Sequence, residues 1–214
     1  MMQSSLNILN IEFNGEDGKS NRCMKKSYEK TNNIMFDFNV ADMKLVKATD
    51  LPASKVMEFR QAFLSAGECS INGSRGLHHY DTYEEWLWLV KECEKPENTL
   101  LGVQASTYFA VRKSDGEVVG CIELRHTLNE SLAVIGGHIG FSVIPEERRK
   151  GYATEMLKQV LAVAKKTGID KVLLTCDIDN VASCKTTEKC GGKQEQEEPF
   201  VLDGEQYYKY WIVL

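Results

Sequence analysis

Two short stretches of this chain combine residue types that suit the binding of an anion. The first, Pro145–Thr154, reads Pro-Glu-Glu-Arg-Arg-Lys-Gly-Tyr-Ala-Thr and lies where an apolar strand pattern gives way to an amphipathic helical one. The first amides of a helix have no intrahelical acceptor and sit at the positive end of its dipole, so they suit a phosphate. Gly151 lets the backbone approach a ligand with no Cβ in the way. Ala153 keeps the first turn small, Tyr152 and Thr154 flank it, and Arg148, Arg149 and Lys150 add positive charge. These features describe a diphosphate cradle; a basic, capped turn before an amphipathic helix is the other reading that the spacing leaves open. The second stretch, Asp179–Gly192, follows the apolar run Lys-Val-Leu-Leu-Thr-Cys. Its Asn180 and Ser183 are of the types that cap a helix.

Two residues have the chemistry to take a proton. Glu123 stands in an otherwise apolar strand pattern (Val-Val-Gly-Cys-Ile-Glu-Leu-Arg), where burial would raise its pKa if it faced a cleft. Arg125, two residues on and on the same face, is the competing partner. His138, in Gly-Gly-His-Ile-Gly, titrates in the range useful to a base, and a hydrogen-bonded structural role is the alternative. His126 and Asn129, together with His78, His79 and Glu68 in the polar loop at 67–80, are candidates for lining an acceptor pocket.

The pattern Arg-x-x-Gly-x-Ala from Arg148 to Ala153 resembles the coenzyme A signature of the GNAT superfamily of N-acetyltransferases. The wider string HIGFSVIPEERRKGYATEMLKQVL resembles that motif in its usual context. The second stretch lies one helix and one strand further on, as in that family. The resemblance covers residues 43–214 and is sharpest over 117–192. It implies an acyl-CoA N-acyltransferase fold: a mixed α/β domain with a splayed central sheet and flanking helices. The strand ending at Ile144 and the strand at 171–178 would run parallel and then part, admitting the pantetheine arm of acetyl-CoA. Backbone groups of Phe141, Ser142, Val143 and Ile144 would pair with that arm, and Asn180 and Ser183 would lie beside it. The implied reaction is direct attack, in a ternary complex, of a primary amine on acetyl-CoA, with the amine carried by a small molecule or a peptide. No metal is implied, and the family includes monomers and homodimers.

The chain departs from the pattern at Thr187, where many members place a tyrosine that protonates the leaving thiolate. A non-catalytic module that senses acyl-CoA is therefore the alternative function. A kinase-like phosphate site is disfavoured by the lack of G-x-x-x-x-G-K-[ST].

The elements that must position these residues are legible from periodicity. Strands are expected at 44–48, 107–112, 118–125, 137–144, 171–176 and 206–214, and helices at 52–66, 82–95, 151–167 and 181–190. The order predicts a three-strand meander followed by a strand–helix–strand crossover, with the HTLNESLA segment as a loop. Trp86, Leu89, Val90 and Cys93 form the expected buried stripe of the second helix, and Trp88 and Trp211 are read as packing residues. Residues 1–42, rich in Asn, Ser, Lys and Glu, are read as a weakly ordered arm before a domain at 43–214.

Composition narrows the function classes. The formal charge of −5 gives no basic footprint for nucleic acid. The longest uncharged apolar stretch falls short of the roughly 20 residues that span a bilayer. Seven cysteines, an odd number with no C-x-x-C pair, point to free thiols in a reducing compartment, and the cytoplasm is the expected location. No His/Cys spacing suggests zinc.

Overall fold

The computed structural model describes residues 42–96 and 102–214. The arm read at 1–42 therefore lies, but for Asp42, outside the described residues. Strand β1 (Met43–Lys47) leads into helices α1 (Ala53–Ser65) and α2 (Tyr83–Cys93). Strands β2 (Ala105–Arg112) and β3 (Val118–Arg125), the short helix α3 (Glu130–Val134) and strand β4 (Ile139–Val143) follow. Helix α4 (Tyr152–Lys166) then crosses to β5 (Lys171–Asp177) and helix α5 (Val181–Lys189). The chain ends in β6 (Lys193–Gln194), β7 (Phe200–Leu202) and β8 (Glu205–Val213).

Hydrogen bonds divide the strands into two sheets, ordered β1-β2-β3-β4 and β5-β8-β6, with β7 pairing β8. All described pairings are antiparallel. The expected three-strand meander is β2-β3-β4, and β1 adds a fourth strand at its edge, pairing along β2 from Met43 opposite Arg112 to Lys47 opposite Tyr108. The hairpin at β7–β8 and the edge strand β6 were also not foreseen; each is short, and two or three residues show no periodicity.

Strand β3 is buried along nearly its whole length because helices cover both faces. Ile122 and Leu124 pack with Met156, Leu157 and Val160 of α4. Cys121 points the other way, into the cluster of Val56, Phe59 and Phe63 from α1 and Trp86 and Val90 from α2. Gly120 sets how close α4 can come, since a Cβ there would stand 2.8 Å from the Met156 methyl. The stripe of α2 is as expected except that Leu89 is half-buried, and Trp88 turns to solvent at 57% exposure.

The two sheets touch where β4 begins. His138 N donates to Leu173 O at 2.7 Å, and Leu173 N donates back to His138 Nδ1 at 2.9 Å. Gly137 has φ +60, and any Cβ there would overlap the Leu173 carbonyl. This turn uses up the residues expected to open the strand, so β4 begins at Ile139. Beyond it, no described strand pairs with the outer edge of β4, and the central sheet is splayed. The HTLNESLA segment also differs from expectation: Asn129 accepts from Leu132 N at 2.9 Å and caps α3.

Candidate functional site

The cradle is built from one continuous piece of chain. After β4, Pro145–Glu147 makes a single 3-10 turn, which Pro145 starts. Arg149 and Gly151 then both adopt left-handed backbone, with φ +66 and +86. Gly151 caps α4, and the first amide to bond back is Glu155 N, 3.1 Å from Gly151 O. The amides of Tyr152, Ala153 and Thr154 stand ahead of it with no intrahelical acceptor. Free amides at the start of a helix, at the positive end of its dipole, suit an anion.

Side-chain charges in this segment are mostly spoken for. Arg148 donates through Nε to Val143 O at 3.1 Å and through Nη2 to Glu68 at 2.7 Å, and its guanidinium lies over the Phe63 ring. Lys150 pairs with Glu147 at 2.9 Å, and Glu147 pairs with Arg112 at 3.0 Å. Burial works against the Glu147 carboxylate, but Lys150 and Arg112 hold its pKa below the usual range. Arg149 is exposed, and no described carboxylate pairs with it. The fit to a diphosphate therefore rests on backbone amides and Arg149, with Arg148 and Lys150 engaged by their own carboxylates.

Along β4, Phe141 and Ser142 are half-buried beside the unpaired edge, which ends at Val143 and Ile144. Across the splay, Asn180 Oδ1 accepts from Ser183 N at 3.1 Å and caps α5. Ser183 Oγ lies 3.3 Å from Cys176 Sγ. Thr187 is fully buried, its hydroxyl 3.8 Å from the same sulfur. Burial raises the Cys176 thiol to about 11, so it stays protonated at neutral pH.

Glu123 is 1% exposed and lies opposite Gly140 of β4. Arg125 Nε stands 2.8 Å from its Oε1, and Arg75 Nε stands 3.0 Å from its Oε2. Arg125 also donates through Nη1 to the carbonyls of Gly136 and Gly137, both at 3.0 Å, so it holds the turn that joins the sheets. His138 accepts at Nδ1, which leaves the proton on Nε2; desolvation and then Arg125 lower its pKa, so the ring is neutral at pH 7. Arg75, missed in the sequence, comes from the loop between α1 and α2. It stands between Gly73 and Gly76 in left-handed backbone, φ +51.

That loop is firmly seated. Ser74 is buried, donates to Ile71 O at 2.7 Å and accepts from Leu77 N at 3.2 Å; its carbonyl accepts from Trp86 Nε1 at 2.8 Å. Gly73 presses on β4 so closely that a Cβ would overlap Gly140 O. His78 and His79 stack at 3.9 Å, and Ile71 N lies 3.4 Å from His78 Nδ1. His126 contacts Ser106 Oγ at 2.9 Å, and burial lowers its pKa. The structure thus gathers Glu123, His138, Arg75 and Arg125 around the start of β4. Asn129 is exposed and committed to capping α3. Among the described residues no cluster suits a metal, and no helix is long and apolar enough to cross a membrane.

Comparison with known proteins agrees with this geometry. The acetyltransferase (GNAT) family profile matches residues 73–192, which run from the Gly73–Gly76 turn through β4 and the start of α4 to the end of α5. An N-acetyltransferase of Bacillus subtilis (strain 168), YjdG, is 29% identical over 109 residues, covering 50% of this chain and 58% of that protein. The chain thus matches less than two thirds of that relative's length. Dodecameric spermidine N-acetyltransferase from Vibrio cholerae superposes with a TM-score of 0.55 at 15% identity, over 81% of this chain and 94% of the other. RimL, a ribosomal α-N-protein acetyltransferase in complex with coenzyme A, superposes with a TM-score of 0.56 at 17% identity over the same shares. With the splayed sheet, the cradle and a profile match across more than half its length, this chain belongs to the acetyltransferase (GNAT) family.

Proposed function

We propose that the chain is an N-acetyltransferase that moves an acetyl group from acetyl-CoA to a primary amine by direct attack within a ternary complex, residues 43–214 forming the catalytic domain. The observation that supports this most is the left-handed Gly151 cap, which leaves the first amides of α4 without a local acceptor just beyond the open β4 edge. The α4 amides from Tyr152 to Thr154, with Arg149, hold the diphosphate; the edge from Phe141 to Ile144 takes the pantetheine amides; Asn180 and Ser183 flank that arm. Acetyl-CoA supplies an acyl thioester. The amine nitrogen forms the new C–N bond as the C–S bond breaks, and the proton lost from nitrogen is matched by one gained at sulfur. Glu123 is the carboxylate placed to receive a proton on the acceptor side, with His138 fixing the turn beside it. Thr187 is buried against Cys176, so protonation of the thiolate falls to solvent.

Acetyl-CoA titration by calorimetry, paired with thiol release across an amine panel, tests this. Gly151→Glu places a carboxylate at the diphosphate and should remove binding, whereas Gly151→Ala carries the same backbone strain without the charge and should keep most of it. Wild-type protein that binds no acetyl-CoA, or an alanine variant as defective as the glutamate one, refutes the assignment. One observation favours a second reading, a non-catalytic acyl-CoA sensor: the burial of Thr187 where a thiolate acid is usual. Binding without thiol release from any amine would select it.

A further inference from the structure

Helix α5 and the sheet β5-β8-β6 enclose a cleft of about 340 Å³ that lies apart from the cradle. The helix turns two stripes to its surroundings. Ser183 and Thr187 face Cys176. Val181, Cys184, Lys185 and Glu188, at the i, i+3, i+4, i+7 spacing of a separate stripe, line the cleft. Opposite them β8 contributes Tyr208 and Tyr210, two residues apart and so on one face of the sheet. Their rings stand 6.3 Å apart at 73°, which makes an aromatic corner and not a flat wall. Tyr210 is buried, and its hydroxyl donates to Glu188 Oε1 at 3.2 Å. Burial raises the Tyr210 pKa, which keeps that proton on the phenol. Glu188 Oε2 has no partner among the described residues, and Glu197, in the loop between β6 and β7, has none for either oxygen. The lining thus holds two carboxylates against one ammonium, that of the exposed Lys185, which pairs with neither.

We infer that this cleft is a binding site for an organic cation, an alkylammonium group held against the Tyr208 ring and neutralised by Glu188 and Glu197. The face of a tyrosine ring carries the negative part of its quadrupole and attracts an ammonium, more strongly where water is excluded. An anion would meet two carboxylates and one lysine, and a neutral ligand would leave both carboxylates without a countercharge. A metal ion would gain little from the rings, and among the described residues no acidic, His or Cys group is arranged to hold one. Ile178, Val181 and Cys184 offer apolar surface to the alkyl part, and a cleft of this size falls in the range of small-molecule sites. Every group invoked is within reach of a ligand, since Glu188 and Glu197 are exposed and Tyr208 is half-buried. None of the lining residues belongs to the cradle, to the β4 edge or to the cluster around Glu123, so the inference stands apart from acetyl transfer.

The test is an NMR titration of the isotope-labelled full chain without acetyl-CoA, so that it does not depend on turnover. Choline is compared with dimethylbutanol, its neutral carbon isostere, and butylammonium with pentanol. Each cation should shift the amides of Val181, Lys185, Gln194 and Tyr208 and bind about tenfold or more tightly than its neutral counterpart. Tyr208→Phe keeps the ring and should bind as the unaltered protein does, whereas Tyr208→Leu should lose about tenfold for the cations and little for the alcohols. Glu197→Gln, at an exposed loop position, should weaken the cations and make their binding less sensitive to salt, and it decides the matter if Tyr208→Leu does not fold. Thermal melts establish which variants are folded. Alcohols that bind as well as the cations would overturn the inference and leave a merely apolar cleft. Cation shifts confined to the surroundings of Glu123, unchanged affinity in a folded Tyr208→Leu protein, or no shift with either cation would overturn it as well, and none of these outcomes bears on acetyl transfer.

Discussion

Replacing Gly137 with alanine should cost far more than replacing Gly168, although both glycines have left-handed backbone, φ +60 and +85. An L-residue in that region loses about 1 kcal/mol, and this applies to both positions. At Gly168 nothing lies within 4 Å of the added Cβ, so the backbone term stands alone. At Gly137 the Cβ would overlap Leu173 O, a backbone atom that cannot rotate away. The turn must lift, and with it go His138 N to Leu173 O and Leu173 N to His138 Nδ1. Two hydrogen bonds of about 1 kcal/mol each bring the expected loss to about 3 kcal/mol, against about 1 for Gly168→Ala. For a domain of this size that difference corresponds to roughly 4–8 °C in Tm. Urea denaturation of both variants measures it, with unchanged slopes as the sign that the unfolded states are comparable. Because this turn is where the sheets meet, Gly137→Ala should also weaken acetyl-CoA binding, which Gly168→Ala should not. Equal losses at the two sites would refute the claim that the sheets are latched here.

His78, His126 and His138 all have pKa values lowered from 6.5, with desolvation the largest cause for each. The folded state therefore binds fewer protons than the unfolded one as pH falls through 6.5. Their stabilisation is fully present above that pH and is lost progressively below it. Urea midpoints measured from pH 7.5 to 5.5 should decline, a window that ends above the range in which Asp115 and Glu147 titrate; a flat profile would contradict the burial argument. Trp86→Phe leaves Ser74 O without its indole donor and should cost about 1–3 kcal/mol, read from chemical denaturation, with the loop between α1 and α2 loosened in hydrogen exchange. A loss below about 0.5 kcal/mol would show that the loop is held by other contacts.

What could be read in the sequence was local. Helix α4 shows itself through Met156, Leu157, Val160 and Ala164 on one face with lysines opposite, and its observed ends differ from expectation by one residue. Strand β3 matches at both ends, α5 ends one residue early, and β8 is shifted by one residue. Gly151 after a basic turn pointed to the cradle because everything that makes a cradle lies within ten residues of chain. The pairing around Glu123 was illegible for the opposite reason. Arg75 and Glu123 meet only because one loop is pinned across β3 and β4, and neither residue carries a local sign of the other. His138 shows the same limit: its Nδ1 partner is the amide of Leu173, a backbone atom with no signature in residue type.

The basic charges before α4 are divided among separate neighbours. Arg148, Arg149 and Lys150 read as one basic cluster, yet each answers to a different neighbour. Arg148 is held by Glu68 and a β4 carbonyl, so it ties the loop between α1 and α2 to the end of β4. Lys150 closes a chain of pairs through Glu147 to Arg112 on β2, which braces the start of α4 against the meander. Only Arg149, whose backbone is left-handed where a glycine would be more comfortable, is left to meet an anion. Strain of that kind persists where the surrounding structure over-determines it. Here the determinants are the two pairs on either side, so Arg148 and Lys150 hold the backbone in the shape that leaves the first amides of α4 free.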